Sequence, residues 1–194
     1  MPTYSDGAPF AHSSNFLKWL APFIGSPVWG LEIGSWEGRS ALWLIENVLT
    51  HPQSRLTCVD TWQGEAMQKV EGMDFALKEL NFLDNTRPYR ESGRLIVRKG
   101  ESAKIVRILV KRYSFAYIDG SHEAPDVLID AVNVWNVLVP GGVMIFDDYE
   151  WHPEQNRRGE THEPKVAIDA FLCVFRERIE ILDKGYQVAV RKVV

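Results

Sequence analysis

Two periods of hydrophobicity run along the chain. Short apolar runs that end in a glycine or polar turn predict buried strands, and apolar residues spaced three or four apart predict helices. The predicted strands are 28–33, 55–60, 94–98, 115–118, 143–146, 179–182 and 186–193. The predicted helices are 15–24, 40–50, 64–83 with an interruption near Gly72 and Asp74, 103–109, 124–138 and 164–176. The polar stretches 85–93 and 150–163 are predicted loops, and 140–142 is a predicted sharp turn.

Strands that alternate with helices predict an α/β fold, with a doubly wound and mostly parallel sheet and helices on both faces. The last two strands predict an antiparallel hairpin. The 194 residues suit a single domain, with residues 1–27 as a helical segment and 28–194 as the core. We find no repeat, linker or second domain in the pattern.

The composition limits the classes of partner that this protein is expected to bind. The net charge is −4 and no basic stripe is present, so no nucleic-acid partner is expected. No stretch reaches the ~20 apolar residues of a membrane span, and the first fourteen residues lack the pattern of a signal peptide. Cys58 and Cys173 lie in apolar contexts and are expected to be buried, reduced thiols. We therefore expect a cytoplasmic protein without a membrane partner. The first 24 residues are short for a substrate cover, so a homo-oligomer that completes the pocket is one expectation.

The stretch Leu31-Glu32-Ile33-Gly34-Ser35-Trp36-Glu37-Gly38-Arg39-Ser40 joins a strand to a helix through a glycine loop. This geometry holds nucleotide-like ligands in α/β proteins. A carboxylate at Glu32 would repel a pyrophosphate, and Trp36 stands where a dinucleotide loop needs a glycine. The stretch therefore favours S-adenosylmethionine over NAD.

Four strands end in carboxylates, and such ends meet at one edge of a parallel sheet. The residues are Glu32, Asp60, Asp119 and the pair Asp147-Asp148. Asp60 is placed to accept the two hydroxyls of a ribose, and Glu32 to orient the amino-acid part of a ligand. Each one singly has another interpretation, as a helix cap or an exposed turn residue.

Four motifs in this order carry a family resemblance. They are Glu32-x-Gly34-x-x-x-Gly38-x-Ser40, Cys58-Val59-Asp60-Thr61-Trp62, Tyr117-Ile118-Asp119-Gly120-Ser121-His122 and Leu138 to Tyr149. Together they resemble class I S-adenosylmethionine-dependent methyltransferases of the methyltransferase-24 type, which include macrolide sugar O-methyltransferases. The resemblance implies a Rossmann-like fold, S-adenosylmethionine as cofactor and a hydroxylated small molecule as substrate.

The expected cofactor-binding residues follow from the glycine loop, from the strand ends and from the resemblance. They are Glu32, Gly34, Ser35, Trp36, Gly38, Ser40, Asp60, Thr61, Trp62, Gly100, Glu101, Ser102 and Asp119. The resemblance places residues 100–102 beside the adenine, while a simple helix cap explains Glu101 or Ser102 equally well. Trp62 either stacks near the adenine or packs in the core.

Asp119, Asp147 and Asp148 are the expected metal ligands, because hard oxygen donors suit Mg²⁺, with Mn²⁺ or Ca²⁺ as alternatives. The resemblance implies that the ion lowers the pKa of the substrate hydroxyl and that His122 is the general base. Two other interpretations stay open: His122 as a cap of the following helix, and the Asp pair as a turn. His152 is a second candidate base or ligand.

The sequence thus predicts a metal-assisted O-methyltransferase of a hydroxylated small molecule. One alternative is a metal-independent N- or O-methyltransferase that uses His122 as base. A second is a protein that binds S-adenosylmethionine without catalysis. The loop 150–163 is either a substrate lid or a solvated loop.

Overall fold

The computed structural model describes residues 2–5, 10–64, 72–151 and 164–194. The chain divides into two compact units, Met1–Glu101 and Ser102–Val194. Each unit contains parallel strands connected through helices.

The first unit carries three parallel strands in the order β3-β2-β1. Its elements are α1 (Ser13–Leu20), a 3₁₀ turn (Ala21–Phe23), β1 (Trp29–Ile33), α2 (Arg39–Asn47), β2 (Arg55–Asp60), α3 (Phe75–Glu91) and β3 (Leu95–Lys99). Residues 30–33 of β1 and 56–59 of β2 are buried, as expected for parallel strands covered on both faces. The glycine loop follows β1 directly, and Asp60 is the last residue of β2.

The second unit carries four strands in the order β4-β5-β7-β6. Its elements are α4 (Ser102–Ile105), a 3₁₀ turn (Val106–Ile108), β4 (Tyr113–Ile118), α5 (Ala124–Val137), β5 (Leu138–Phe146), α6 (Pro164–Phe175), β6 (Ile179–Lys184) and β7 (Val188–Lys192). Strands β4 and β5 are parallel, while β7 runs antiparallel to both β5 and β6. Asp119 therefore follows β4, and Asp147 follows β5.

The predicted fold class is confirmed. Parallel strands alternate with helices, and an antiparallel hairpin closes the chain, which is the order of a Rossmann-like α/β fold. Among the described residues, no helix has both the length and the apolar character that crossing a membrane requires.

The predicted loop at 85–93 is wrong, because α3 continues through it to Glu91. Side-chain contacts stabilise this polar part of the helix. The Thr86 hydroxyl is buried and donates to the Phe82 carbonyl at 2.7 Å, and Arg90 donates to the Leu83 carbonyl at 2.7 Å. Pro88 lies near the helix end, where its missing N–H costs one hydrogen bond.

Other boundaries also differ from the predictions. The helix predicted at 103–109 is a four-residue α4 followed by a 3₁₀ turn, and Ile108 is 77% exposed rather than buried. The turn predicted at 140–142 lies inside β5. Helix α3 begins after Asp74, whose side chain accepts from the Leu77 N–H at 3.0 Å, in agreement with the predicted interruption. Residues 65–71 of the predicted helix lie outside the described residues. Cys58 is buried as predicted, but Cys173 is exposed on α6, so that prediction is wrong.

Candidate functional site

The glycine loop, residues 34–38, depends on its two glycines. Gly34 has a φ of 82° and donates its N–H to the Val59 carbonyl at 2.9 Å. Gly38 has a φ of 83°, and a Cβ there would lie 3.0 Å from the Phe82 ring and 3.1 Å from the Thr86 methyl group. Both positions need left-handed backbone, and Gly38 also needs the close approach of α3.

Asp60 holds the backbone of the glycine loop. Its Oδ2 accepts from the N–H groups of Ser35 at 2.7 Å and Trp36 at 3.0 Å. Its Oδ1 accepts from the Trp62 N–H at 2.7 Å. The carboxylate expected to bind a ligand thus also orders the loop. Carboxylate oxygens have further lone pairs, so the two roles are compatible.

Glu32 has no exposed surface. The Ser35 hydroxyl donates to its Oε2 at 2.6 Å, while its Oε1 has no partner of normal hydrogen-bond geometry among the described residues. Burial raises the pKa of Glu32 to about 7, against the opposing effect of Ser35, Ser40 and Cys58. The carboxyl therefore bonds to the glycine loop through Ser35, and its contact with a ligand stays a prediction. At neutral pH Glu32 is partly protonated, which weakens the expected electrostatic repulsion between its carboxyl group and a pyrophosphate.

The two tryptophans near the glycine loop bind each other. Trp62 donates its indole N–H to the Trp36 carbonyl at 2.8 Å, and its ring centroid lies 4.9 Å from that of Phe82. Trp62 is only 6% exposed, so the packing interpretation describes its ring in this structure. Both tryptophans have positive φ, 47° and 48°, and hydrogen bonds to Asp60 and between their loops hold them there.

The other residues expected to bind the cofactor have different surroundings. Thr61 accepts from the Gln63 N–H through its hydroxyl at 3.1 Å. The Gly100 N–H donates to the Asp60 carbonyl at 2.8 Å, and Glu101 is exposed. Ser102 begins α4 and hydrogen-bonds to Asp130, whose pKa burial raises to about 6. Ser102 is thus engaged by its own unit in this structure, and its contact with adenine stays a prediction.

In the second unit, the hydroxyl of Tyr117 lies between the carboxyl groups of Asp119 and Asp147. The buried Tyr117 hydroxyl lies 2.8 Å from Asp119 Oδ2 and also contacts Asp147 Oδ2. A phenol has one hydrogen, so two carboxyl groups share it. Burial raises the pKa of Tyr117, and the charges of Asp119 and Asp147 raise it further. The arrangement concentrates negative charge at this strand end.

His122 and Asp148 form a pair, with 3.0 Å between His122 Nε2 and Asp148 Oδ2. The other oxygen of Asp148 accepts from the Tyr186 hydroxyl at 2.6 Å. Asp148 has a left-handed φ of 58°, and the Tyr149 N–H donates to the Tyr186 carbonyl at 2.8 Å. The ring of Trp151 lies 4.4 Å from that of His122. Histidine is therefore oriented by a carboxylate, which is itself held by a tyrosine.

The open alternatives for these residues receive partial answers. Ser121 bonds the residue before α5, because its hydroxyl accepts from the Glu123 N–H at 3.1 Å. The alternative for the Asp pair made Asp148 the cap of a turn. The Asp148 carbonyl does accept from the Trp151 N–H at 3.0 Å, while its side chain contacts His122 and Tyr186. His152 and the predicted loop beyond Trp151 lie outside the described residues, as does the choice between lid and solvated loop.

The expected metal ligands fit a divalent cation in chemistry, because all three offer carboxylate oxygens. As they stand, the oxygens of Asp147 and Asp148 accept from Tyr117, Tyr186, His122 and a backbone N–H. Within the described ranges, no group of three or more His, Cys, Asp and Glu side chains is arranged to hold a metal ion. Binding would therefore require these side chains to exchange hydrogen bonds for metal bonds.

Sequence reasoning gave no role to Tyr117 or Tyr186. Tyr117 precedes Asp119 by two positions, so the period of a strand places both on one face, and this signal was available. Tyr186 carries no such signal, because it meets Asp148 across 38 positions of sequence.

Comparison with known proteins gives the family. A family model described as a methyltransferase domain, of the methyltransferase-24 type, matches residues 31–149. These residues include the glycine loop and all the expected metal ligands. No protein in a search of curated proteins matches the chain.

Solved structures share the fold at low sequence identity. An O-methyltransferase from Bacillus cereus, in complex with S-adenosylhomocysteine, is 16% identical with a TM-score of 0.67, and the match covers 98% of this chain and 84% of that one. The O-methyltransferase NovP is 15% identical with a TM-score of 0.66, covering 94% and 80%. MycE of the mycinamycin pathway, in complex with Mg, S-adenosylhomocysteine and mycinamycin VI, is 14% identical with a TM-score of 0.63, covering 94% and 48%. The chain thus spans about half the length of MycE.

Proposed function

We propose that this chain, which belongs to the methyltransferase-24 family of S-adenosylmethionine-dependent methyltransferases, methylates a hydroxyl group of a small molecule. The observation that carries the proposal is the pair of His122 and Asp148, 3.0 Å apart, directly after two strand ends. Such a pair can take a proton from an acceptor hydroxyl at neutral pH.

The glycine loop supports cofactor binding by the first unit. S-adenosylmethionine supplies a methyl group on a sulfonium, which a nucleophile attacks in line. Asp60 orders the backbone of Ser35 and Trp36 and offers oxygens to ribose hydroxyls. Glu32 supports the same loop through Ser35. This rigid loop positions the ligand, and positioning is the main contribution that such a transfer needs.

His122 is the proposed proton acceptor. A neutral imidazole paired with Asp148 through Nε2 carries its proton on Nε2 and its lone pair on Nδ1. The acceptor oxygen forms a bond to the methyl carbon, the carbon–sulfur bond breaks, and S-adenosylhomocysteine leaves. The hydroxyl proton passes to Nδ1, and Asp148 stabilises the resulting imidazolium.

A divalent cation is part of the proposal as an aid to the acceptor hydroxyl. Mg²⁺ is the first choice, with Mn²⁺ or Ca²⁺ as alternatives, and Asp119, Asp147 and Asp148 would hold it. When bound, such an ion lowers the pKa of a coordinated hydroxyl. The Tyr117 contacts support a cation, because the carboxylates of Asp119 and Asp147 meet at a neutral phenol, which brings no positive charge to offset theirs.

The family and one solved structure support the proposed acceptor class. MycE, a methyltransferase from the mycinamycin biosynthetic pathway, was solved with Mg and mycinamycin VI. We extend this to the present chain as a hydroxylated sugar or secondary metabolite. A cytoplasmic location and a homo-oligomer that completes the pocket remain predictions from the sequence.

The test is a methyl-transfer assay against a panel of hydroxylated small molecules. Three proteins are compared: the wild type, His122→Ala and Asp148→Asn. We expect S-adenosylhomocysteine production by the wild type and a loss of ~10²- to 10⁴-fold in kcat for His122→Ala, the usual contribution of a general base. S-adenosylhomocysteine should bind all three proteins with equal affinity, which shows that they are folded.

Other outcomes identify the alternatives. Transfer to amines only would show an N-methyltransferase. Tight binding of S-adenosylhomocysteine without transfer to any acceptor would favour a binding protein without catalysis. Activity that survives in His122→Ala would contradict the role of the histidine.

A further inference from the structure

We infer that Glu37 is a positioning residue for the glycine loop, and that the segment Thr3–Ser5 fastens this loop as a strap. The inference rests on the proposed function, because it assumes that the loop binds S-adenosylmethionine. Glu37 lies between Trp36 and Gly38 within the loop. Its side chain is nonetheless 2% exposed, so the protein buries a carboxylate at this position.

Four side-chain and backbone donors surround the Glu37 carboxylate. Oε2 accepts from the Ser5 N–H at 2.9 Å and from the Ser5 hydroxyl at 3.0 Å. Oε1 accepts from Asn81 Nδ2 at 2.8 Å and from Lys78 Nζ at 3.3 Å. One oxygen thus faces the strap and the other faces α3. A buried carboxylate is stable only with such partners.

Asn85 of α3 connects this helix to the strap and to the glycine loop, because its side chain bonds to their backbone groups. Its amide nitrogen donates to the Glu37 carbonyl at 2.9 Å and to the Thr3 carbonyl at 2.9 Å. Its amide oxygen accepts from the Thr3 N–H at 2.7 Å. All the hydrogen-bonding groups of one side chain are therefore used to hold the strap against the loop.

The negative charge of Glu37 strengthens its hydrogen bonds to the strap and to α3. Burial alone would raise the pKa of Glu37, but hydrogen bonds from Ser5, Asn81 and Lys78 outweigh it and lower the pKa. The group is therefore ionised at neutral pH, and hydrogen bonds to a charged acceptor are the stronger kind. The Lys78 ammonium also lies 5.0 Å from the centre of the Trp36 ring, which ties α3 to the neighbouring residue of the loop.

The loop is thus held from two sides. Asp60 accepts from the N–H groups of Ser35 and Trp36, and Glu37 connects the next residue to α3 and to the strap. Glu37 acts without touching the ligand. It limits the conformations of the loop before the cofactor arrives, which reduces the entropy lost on binding.

The experiment compares Glu37→Gln and Ser5→Pro with the wild type by calorimetric titration of S-adenosylhomocysteine. Glu37→Gln removes the charge, and Ser5→Pro removes both donors that the strap offers to Glu37 without changing a residue of the loop. We expect Kd to rise ~10-fold for Glu37→Gln and several-fold for Ser5→Pro, in line with losing charge-assisted hydrogen bonds. In turnover, KM for S-adenosylmethionine should rise while kcat for the acceptor changes less than twofold.

Glu79→Gln is the matched control. Glu79 lies on the same helix but pairs with Lys99 at 2.6 Å, so the Kd of this variant should equal that of the wild type. The double variant Glu37→Gln/Ser5→Pro should bind no more weakly than Glu37→Gln alone, since both changes break one connection. Wild-type affinity in both single variants would overturn the inference.

A separate measurement distinguishes this inference from the proposed function. Hydrogen exchange at the Ser5 amide should accelerate in Glu37→Gln and not in Glu79→Gln, whether or not the cofactor binds. Failure of the wild type to bind S-adenosylhomocysteine would refute the proposed function alone. Unchanged exchange at Ser5 would refute the strap. If Glu37→Gln does not fold, Ser5→Pro decides the question, because it changes no residue of the loop or of α3.

Discussion

The Nε2 atom of His122 lies 3.0 Å from Oδ2 of Asp148, and this carboxylate accepts from Tyr186 on its other oxygen. Asp148 stands at a left-handed φ of 58°, a conformation that few residues other than glycine adopt. The surrounding hydrogen bonds compensate for that cost and direct the carboxylate toward the histidine. The pairing therefore depends on Tyr186, from the turn between the last two strands.

Replacing Tyr186 with Phe tests this dependence. Without the phenol, Asp148 loses the donor on its Oδ1 and its orientation toward His122 becomes less defined. We expect kcat to fall ~10-fold, while KM for S-adenosylmethionine stays unchanged, because the loss of one hydrogen bond to a charged group is worth about 1.5–3 kcal/mol at most. Steady-state kinetics measures both parameters. Tyr89→Phe is a suitable control, since Tyr89 donates to Glu46 in the first unit; equal losses in both variants would refute a specific role of Tyr186.

Removal of divalent cations tests the predicted ion. We expect EDTA to abolish most of the wild-type methyl transfer and added Mg²⁺ to restore it, because the proposed ligands Asp119, Asp147 and Asp148 offer the carboxylate oxygens that such ions prefer. S-adenosylhomocysteine binding, measured by calorimetry, should not respond to EDTA. Turnover at the same rate with and without the chelator would show instead that His122 acts without a metal.

The buried Glu32 makes stability depend on pH. Its pKa is about 7 in the folded protein and ordinarily near 4.5, so folding favours the protonated form. The unfolded chain releases this proton at lower pH, so the contribution of Glu32 to stability is greatest below about pH 4.5 and is lost as the pH rises through about 7. The difference of roughly 2.5 pKa units corresponds to about 3 kcal/mol.

Urea denaturation of Glu32→Gln at pH 5 and pH 8 measures this effect. The variant carries no ionisable group at the position, so relative to the wild type it should gain about 2–3 kcal/mol in unfolding free energy between the two pH values. Glu177→Gln serves as the control, because the Glu177 side chain is 84% exposed. A constant difference between wild type and Glu32→Gln would mean that the Glu32 carboxyl does not titrate in this range.

Gly38 tests the close contact between the glycine loop and α3. Gly38→Ala combines a left-handed φ of 83° with a Cβ 3.0 Å from Phe82. Gly93→Ala has a similar φ of 70° and nothing within 4 Å of its Cβ. We expect a loss of about 1–2 kcal/mol for Gly93→Ala from backbone strain, and about 1–3 kcal/mol more for Gly38→Ala from the contact. Thermal denaturation of both variants gives the difference, and equal losses would show that the loop moves away from α3 at little cost.

Local patterns were sufficient for much of this protein. The continuous apolar runs predicted buried parallel strands, and the glycines at 34 and 38 predicted the loop between β1 and α2. The order of acidic residues after strands placed Asp60, Asp119 and Asp147 at strand ends, and the structure has them there. These features could be predicted because they depend on residues close in the chain, through side-chain period and backbone conformation.

Polarity alone misled the prediction of 85–93. Asn85 and Thr86 read as loop residues, yet both lie within α3, where Thr86 is buried and Asn85 binds the glycine loop. A helix propensity is a weak signal when tertiary contacts satisfy polar side chains. The sequence held no information on which partners these residues would meet.

What the sequence determined by itself was the α/β order, the glycine loop and the acidic strand ends, because each follows from neighbours in the chain. Only the tertiary structure decided which partners the acidic side chains of the loop and of the strand ends meet. Ser5 meets Glu37 across 32 positions, and Tyr186 meets Asp148 across 38. Hydrogen bonds of this kind depend on the distance between segments that the fold brings together, and no periodicity in the sequence records that distance.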